Sequence, residues 1–471
     1  MVNRVHVDPE IRDSFPRVRD YFSMDSREVP ESLMESSSPD LGSGPIDKTI
    51  YTSRHYADLE DKHIWKKVWQ LACRMNDIPQ VGDRVVHDIL DQSFVIVRTS
   101  RDGIKAFYNV CMHRGTRLVG AQDPLSGKEI TCSFHNWSYN LNGSLKRIPC
   151  RWDFPEVQNE QVHLAEVKTA TWNGFVFINT DPNCQPFEEF LGETIPRHFK
   201  SWPYDKAAKV AHFGKVLPCN WKVAVGAFLE VYHVNQTHAG IMGISGDCNS
   251  QYDSWGEHAR QIMCVAVPSP HLGDMSDDPQ LVVEEWLESA IASTPGVADV
   301  EIPPLPDGAG SGEVRTLCAS IARQMRKQST GIDFSDASDA EMLDSIQYFI
   351  FPNFFLFGGK AFPLAYRILP IQGDHESCLF EVMALANLPE GSAIPKDVPL
   401  EITPTDEPWA ALSDRLGKGV AVFDEDQRNL VKFQSGLRQN GLKHVHLGNY
   451  QERNVRNFLM SIERRINARQ Q

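Results

Sequence analysis

The chain has 471 residues, 41% of them hydrophobic and 23% charged. That describes a globular protein too long for one core and suggests two domains of ordinary size. A formal net charge of −15 argues against nucleic acid as a partner, because phosphate binding needs basic surface.

Met1–Asp8 lacks the apolar run of a signal peptide, and no segment is long and apolar enough to span a membrane. Ten cysteines without a regular framework suit a reducing cytoplasm. Residues 1–22 carry mixed charge and weak helical periodicity. Residues 23–47, with Ser36-Ser37-Ser38-Pro39-Asp40 and Gly42-Ser43-Gly44-Pro45, read as an exposed connector. A helix follows over Ala57–Val68, with Leu59, Ile64, Trp65 and Val68 on one side.

From Trp69 to Ala170 the period shortens. Arg84–His87, Ser93–Arg98, Ala106–Val110, Ile130–Cys132 and Ser144–Ile148 alternate with Gly and Asp turns, the pattern of a small all-β module. Two of its loops carry metal-ligand chemistry. The first is Cys111-Met112-His113-Arg114-Gly115; the second, separated from His113 by eighteen residues, is Cys132-Ser133-Phe134-His135-Asn136-Trp137. Cys, His, Cys and His could hold one tetrahedral zinc. They could equally hold a two-iron, two-sulfide cluster with both Cys on one iron and both His on the other, the Rieske arrangement. The spacing is not that of a zinc finger, and Arg114-Gly115 together with the aromatic Trp137 favours the cluster.

These two loops resemble the Rieske domain of the ring-hydroxylating, Rieske non-haem iron oxygenases (large, or alpha, subunit). The family pattern has Gly after the second His, where this chain has Asn136. Asn is one of the few non-Gly residues that accept a left-handed backbone, so the loop is expected to keep its shape.

Thr171–Asn179 is a strongly apolar strand expected to open the second domain. Residues 240–345 are the least regular, and Glu301–Glu313, rich in Pro and Gly, is expected to be a mobile loop. Phe349–Phe357, Tyr366–Pro370 and Leu379–Asn387 read as strands and Ala421–Gln439 as a long helix. The expected fold is α+β. A small all-β Rieske [2Fe-2S] domain (49–170) is set into a larger antiparallel sheet-plus-helices catalytic domain (171–471), with residues 1–48 as an N-terminal helix and connector packed on the latter.

A second constellation lies in Asn220-Trp221-Lys222 through Glu230-Val231-Tyr232-His233 to His238. Two His and one carboxylate on one face, with open positions opposite, make the dioxygen-activating site of non-haem iron enzymes. His233 and His238 are five apart, about 140° on an ideal helix, so the helix must distort or end between them to serve one metal. Val422, Asp426, Leu430, Phe433 and Leu437 recur at helical spacing, which puts Asp426 on a buried stripe while Asp424 and Glu425 point away. A lone buried carboxylate is costly unless paired or bound to metal.

The same resemblance covers these stretches, matched at Asn220, Trp221, Lys222, Glu230, Tyr232, His233 and His238, and at Glu425, Asp426, Gln434, Gly436 and Leu437. It implies His233, His238 and Asp426 as ligands of a mononuclear Fe(II), with O2 as co-substrate. It implies that Glu230 links this iron to a Rieske His of a neighbouring subunit in a homotrimer (α3) or an α3β3 assembly. Many members have Asn where this chain has Ala227, so an outer ligand at that position is absent.

An NAD(P)H-dependent reductase or ferredoxin is the implied electron donor. No Gly-x-Gly-x-x-Gly fingerprint follows a strand, so the chain itself is not expected to bind nicotinamide. The expected substrate is apolar, aromatic or polycyclic, in a pocket formed by Phe228, Leu229, Ile241, Met242, Phe349 and Phe355; a quaternary ammonium compound is the alternative. Two other classes stay open: a zinc-containing hydrolase and a pure electron carrier.

Overall fold

The computed structural model describes residues 15–120, 122–276, 278–294, 303–388 and 398–468. The expected α+β architecture is observed, with two large sheets and two small ones among the described residues. The first large sheet has six strands in the order Gln70–Arg74, Phe175–Asn179, Glu166–Trp172, Ile104–Tyr108, Gln92–Arg98 and Arg84–Ile89, all antiparallel. A three-stranded sheet, Glu129–Thr131, Ser138–Asn140 and Leu145–Arg147, completes the β module. Val95, Val97, Phe107, Ile130, Trp137 and Tyr139 form the apolar filling between the two, and Cys111 and Cys132 belong to that same buried cluster. Both ligand-bearing loops are therefore anchored in one core.

The second large sheet has eight strands, running from the hairpin Ser245–Trp255/His258–Val265 through Ser345–Ile350, Phe354–Gly358, Leu364–Ile371, Asp374–Ala386 and Ala208–Leu217 to Glu401–Thr403. The helices Trp221–Ala227 and Val422–Leu437 carry the second constellation, and Arg453–Asn467 buries Phe458, Leu459 and Ile462 beside them.

Several elements differ from the sequence expectation. Thr171–Asn179 is not one strand opening the second domain. Asn173 (φ 51°) and Gly174 (φ 79°) form a turn there, the left-handed pair that two-residue hairpins favour. Phe175–Asn179 folds back on Glu166–Trp172 and belongs to the first sheet. Phe349–Phe357 likewise divides into two strands of a hairpin. The 57–68 helix becomes a regular helix over Arg54–Glu60 followed by a wider π turn over Asp61–Trp65.

The connector at 23–47 is docked. Leu33 is buried, Arg260 donates to the carbonyls of Ser32 and Glu35, and the Ser37 amide donates to Asp253. Its spacing pattern shows the turns but not these partners, which lie more than 200 residues away. Residues 1–14 and 301–302 lie outside the described residues; Ser311–Glu313 begins a helix that runs to Thr330.

A buried ionic clamp joins the two large sheets. Arg367 makes paired bonds to Glu381 (2.7–3.1 Å) and donates to the carbonyls of Leu71 and Ala72 in the first sheet. His212 Nε2 lies 3.0 Å from the same carboxylate. Burial raises the Glu381 pKa, but the Arg367 charge and the His212 bond outweigh it, holding the group at about 2. The carboxylate is more acidic folded than unfolded. Its stabilisation is therefore complete above the ordinary Glu pKa of about 4.5 and is lost as pH falls toward about 2. Glu381→Gln is expected to destabilise the protein by about 3–5 kcal/mol near neutrality, since it leaves Arg367 buried without a counter-charge. Denaturant titrations should show the gap to the wild type narrowing below about pH 4.5.

Candidate active site

The two ligand loops are near-copies of each other in backbone terms. In the first, the Gly115 amide donates to the Cys111 carbonyl (2.9 Å) and the Cys111 amide to the Thr116 carbonyl (2.7 Å). In the second, the Asn136 amide donates to the Cys132 carbonyl (3.0 Å) and the Cys132 amide to the Trp137 carbonyl (2.8 Å). Gly115 (φ 80°) and Asn136 (φ 61°) occupy equivalent left-handed positions, so Asn136 does adopt the backbone that its family position requires. The Asn136 side chain also accepts a bond from Arg147 (3.2 Å).

The four donors face one another. The His113 and His135 ring centroids are 4.6 Å apart, and His113 stacks on Trp137 at 4.8 Å. Cys111 and Cys132 are buried, and Tyr139, a residue the sequence did not single out, places its hydroxyl 3.3 Å from Cys111 Sγ and accepts the Met112 amide. Burial, and then the neighbouring His135 and Arg114, lower the His113 pKa, which keeps the ring neutral as a metal donor must be. Among the described residues, the sets of three or more donors lying within 4.8 Å of one another do not include this one. A spread wider than one ion needs fits a two-iron cluster better than a single zinc.

The second constellation does meet that test: donor atoms of His233, His238 and Asp426 all lie within 4.8 Å of one another. Three local features bring them together. Asn220 caps the Trp221–Ala227 helix through Lys222 N, while its own amide is held by Gln434 Oε1 of the Val422–Leu437 helix. Trp221 and Lys222 both bind the buried Glu60 carboxylate, at 2.8 and 2.6 Å. The Asn-Trp-Lys run thus locks the site to two other parts of the chain. Beyond Ala227 the chain is irregular, and His233 and His238 flank the single helical turn Val234–Thr237. Limiting the helix to that one turn, with His238 already out of helical conformation (φ −111°, ψ 43°), is how two His five residues apart reach one point.

Asp426 Oδ1 lies 3.0 Å from His238 Nε2 and 3.5 Å from His233 Nε2. The opposite ring nitrogens are held elsewhere. His233 Nδ1 donates to Glu230 Oε1 at 2.8 Å, and Glu230 Oε2 accepts the His233 amide. His238 Nδ1 donates to Glu425 Oε2 at 2.7 Å. These carboxylates fix each tautomer so that both Nε2 atoms face the shared centre. Burial works against protonation of His233, yet the Glu230 and Asp426 charges raise it to about 9. The donor set is thus electron-rich and short of a cation.

Glu425 does not point away as its helix position suggested; its longer side chain reaches back to His238. Asp424 accepts the amides of Trp409 and Ala410 (2.7 and 2.9 Å) and so caps the neighbouring turn. Along the helix the buried positions are Phe423, Asp426, Leu430, Gln434 and Leu437. Asp426 keeps its expected place, but Phe433 is exposed and Gln434 buried, because the polar Gln has buried partners the pattern cannot show. Glu230 reaches His233 from an irregular segment and not along a helix. Glu425→Ala is expected to leave Asp426 in place but free the His238 ring. Turnover should fall roughly 10–100-fold at limiting iron, and added iron should restore part of it.

A cavity of about 440 Å³ adjoins the triad, lined by Tyr51, Ala227, Phe433, Leu442, Val445 and Val455 together with Glu230, His233, Asp426 and Glu452. None of Phe228, Leu229, Ile241, Met242, Phe349 and Phe355 lines it. Phe228 and Phe355 pack with Tyr366, Phe380 and Phe423 in an aromatic cluster, Leu229 and Phe349 are core, and Ile241 and Met242 belong to or beside buried packing. Apolar character near the His pair did not separate pocket from core.

Comparison with known proteins places the chain in a class. The Rieske [2Fe-2S] domain family matches residues 68–159, and the ring hydroxylating alpha subunit (catalytic domain) family matches residues 196–468. The chain belongs to the ring-hydroxylating alpha-subunit family and carries its Rieske [2Fe-2S] domain. That membership implies a Rieske cluster, a mononuclear iron and O2, and the donor sets above fit both metal groups. The zinc-hydrolase and electron-carrier readings do not match it.

Among relatives, the carnitine monooxygenase oxygenase subunit of Escherichia coli is 30% identical over 197 residues, 42% of this chain and 52% of that one. The biphenyl 2,3-dioxygenase subunit alpha of Rhodococcus jostii is 30% identical over 203 residues, 42% of this chain and 44% of that one. The chain thus spans about half the length of the curated relatives it matches. Two solved structures share its fold. A quaternary ammonium Rieske monooxygenase in complex with L-carnitine has a TM-score of 0.60 at 18% identity, covering 91% of this chain and 99% of that one. Naphthalene 1,2-dioxygenase with indole bound in the active site has 0.62 at 17%, covering 91% and 93%.

Proposed function

We propose that this chain is the terminal oxygenase component of a multicomponent Rieske oxygenase. Cys111, His113, Cys132 and His135 hold the cluster, and His233, His238 and Asp426 hold the mononuclear Fe(II). The observation that carries this reading is the convergence of two Nε2 atoms and one carboxylate oxygen beside a cavity, in a chain that also carries the Cys/His loops. Iron bound there supplies dioxygen activation at its open positions. Electrons arrive singly from an NAD(P)H-dependent reductase or a ferredoxin through the cluster. The product is a cis-dihydrodiol, a monohydroxylated compound or a demethylated one.

The assembly is a trimer, α3 or α3β3, in which the cluster of one subunit serves the iron of the next. Exposed apolar side chains support this. Met112 and Phe134 lie in the cluster loops and Tyr232 lies next to His233, and all three are exposed; exposed apolar side chains of this kind mark surfaces that associate. No described helix is long and apolar enough to cross a membrane, and ten cysteines suit the reducing cytoplasm.

The substrate is an apolar aromatic or polycyclic compound, held against Tyr51, Phe433, Leu442 and Val455. The carboxylates of Glu230 and Glu452 in the same wall favour the second reading, a quaternary ammonium cation. Substrate-dependent oxygen uptake with a surrogate reductase, across a panel of arenes and quaternary amines, separates them. No uptake with either class, in protein carrying both metal groups, contradicts the proposal.

For the cluster ligands, His113→Cys or His135→Cys is expected to lower the reduction potential by on the order of 100 mV or more, since thiolate donates more negative charge than imidazole. Redox titration checks this, and an unchanged potential in both variants removes the assignment.

A further inference from the structure

Outside the triad, one other set of donors among the described residues meets within 4.8 Å: Asp247, Cys248 and His271. Asp247 and Cys248 lie in the irregular start of the Ser245–Trp255 strand, where the pairing slips between Gly246 and Gln251. His271 lies just beyond the following hairpin, in a turn tied back by Ser269. Ser269 N donates to the Met242 carbonyl (2.7 Å), and Ser269 Oγ donates to Asp247 Oδ1 (2.7 Å). That bond and the Cys248 amide satisfy Oδ1 of Asp247.

The other carboxylate oxygen has no such partner. Asp247 is 99% buried (1% exposed), yet its Oδ2 accepts no hydrogen bond, and the buried Nε2 of His271 makes none either. The two atoms face each other at 4.0 Å, too far for a hydrogen bond. Two ligands of one tetrahedral zinc-like ion, each roughly 2.0–2.2 Å from it, lie about 3.3–3.6 Å apart, so closing the gap by roughly half an ångström would seat an ion between them. A carboxylate oxygen, an imidazole nitrogen and a thiolate sulfur form the borderline set that zinc accepts. The ligand atoms themselves are buried, while the His271 side chain as a whole is 31% exposed, so the site lies just under the surface.

We propose that Asp247, Cys248 and His271 form a second, structural metal site for a divalent cation of zinc's type, separate from the two iron groups. A cation there would clip the segment that follows His238 to the turn at Ser269–His271. It would thereby fix the far end of the stretch running from the iron ligand to the central sheet.

The test uses the iron-loaded holoenzyme, with the visible spectrum confirming the intact cluster and zinc as the probe. Wild type should retain one zinc per chain after dialysis, and zinc X-ray absorption should show a single sulfur neighbour at about 2.3 Å. Zinc displacing the mononuclear iron would show no sulfur, which separates the two sites. Cys248→Ser should remove the sulfur shell, and His271→Ala should weaken zinc binding by at least roughly 100-fold, since a lost ligand costs no less than a lost outer partner. His271 is half-exposed, so that variant should fold. No retained zinc in the wild type, a zinc shell without sulfur, or full retention in His271→Ala overturns the proposal.

Discussion

Asp426→Ala is expected to yield a red-brown but inert protein: the cluster stays, the mononuclear iron goes, and turnover falls by well over about 100-fold. Asp426 is 6% exposed, and its Oδ1 lies within reach of both Nε2 atoms. Removing it leaves two imidazoles without the anionic ligand that completes the set. Glu425 cannot substitute, because its carboxylate is engaged by His238 Nδ1 on the far side of the ring. The cluster loops share none of these contacts, so their colour is an internal control. The paired variant Asp424→Ala loses two backbone bonds, at Trp409 and Ala410. It should cost about 1–3 kcal/mol of stability while turnover per folded molecule stays near wild type. Iron analysis beside turnover separates the two; an inactive Asp424→Ala with active Asp426→Ala would reverse the ligand assignment.

The second large effect is expected at Glu230. Its carboxylate accepts both the His233 ring N–H and the His233 amide. Glu230→Gln keeps the shape but removes the charge and one acceptor, so the His233 ring loses the anion that makes it a stronger ligand. Both metal groups and substrate binding should persist while turnover falls by on the order of 100-fold. If Glu230 also links His233 to a cluster His of the neighbouring subunit, the lost step is electron transfer. Single-turnover stopped flow on the pre-reduced variant, with substrate and oxygen present, should then show slow cluster reoxidation. Wild-type-like reoxidation would remove the bridge and leave Glu230 as an orienting group alone.

Much of this site is legible in the sequence because its chemistry depends on residue types that have few other reasons to cluster. The Cys/His loops stand out by spacing, and Asp426 by being a carboxylate on an apolar stripe. Less legible is what holds the ligands. Glu425 reads as solvent-facing from its helical angle, and only the fold brings His238 within its reach, 187 residues back in the chain. Tyr139 and Glu60 are similar cases, one ordinary strand residue and one helix residue whose partners are fixed by tertiary packing. The pocket was the weakest reading. Phe228, Phe349 and Phe355 are as apolar as any substrate wall, and hydrophobicity alone does not say whether a ring faces a cavity or another ring. The Phe175–Asn179 strand shows the same limit at the level of domains, since local apolarity forms a strand but the Asn173-Gly174 turn decides which sheet receives it.

The most direct test of the central claim is iron and inorganic-sulfide analysis of the anaerobically reconstituted chain, read beside its visible spectrum. A two-iron cluster plus one mononuclear site predicts close to three irons and two sulfides per chain, with red-brown absorption. Two irons with two sulfides, unchanged by Asp426→Ala, would make the chain an electron carrier and contradict an oxygenase.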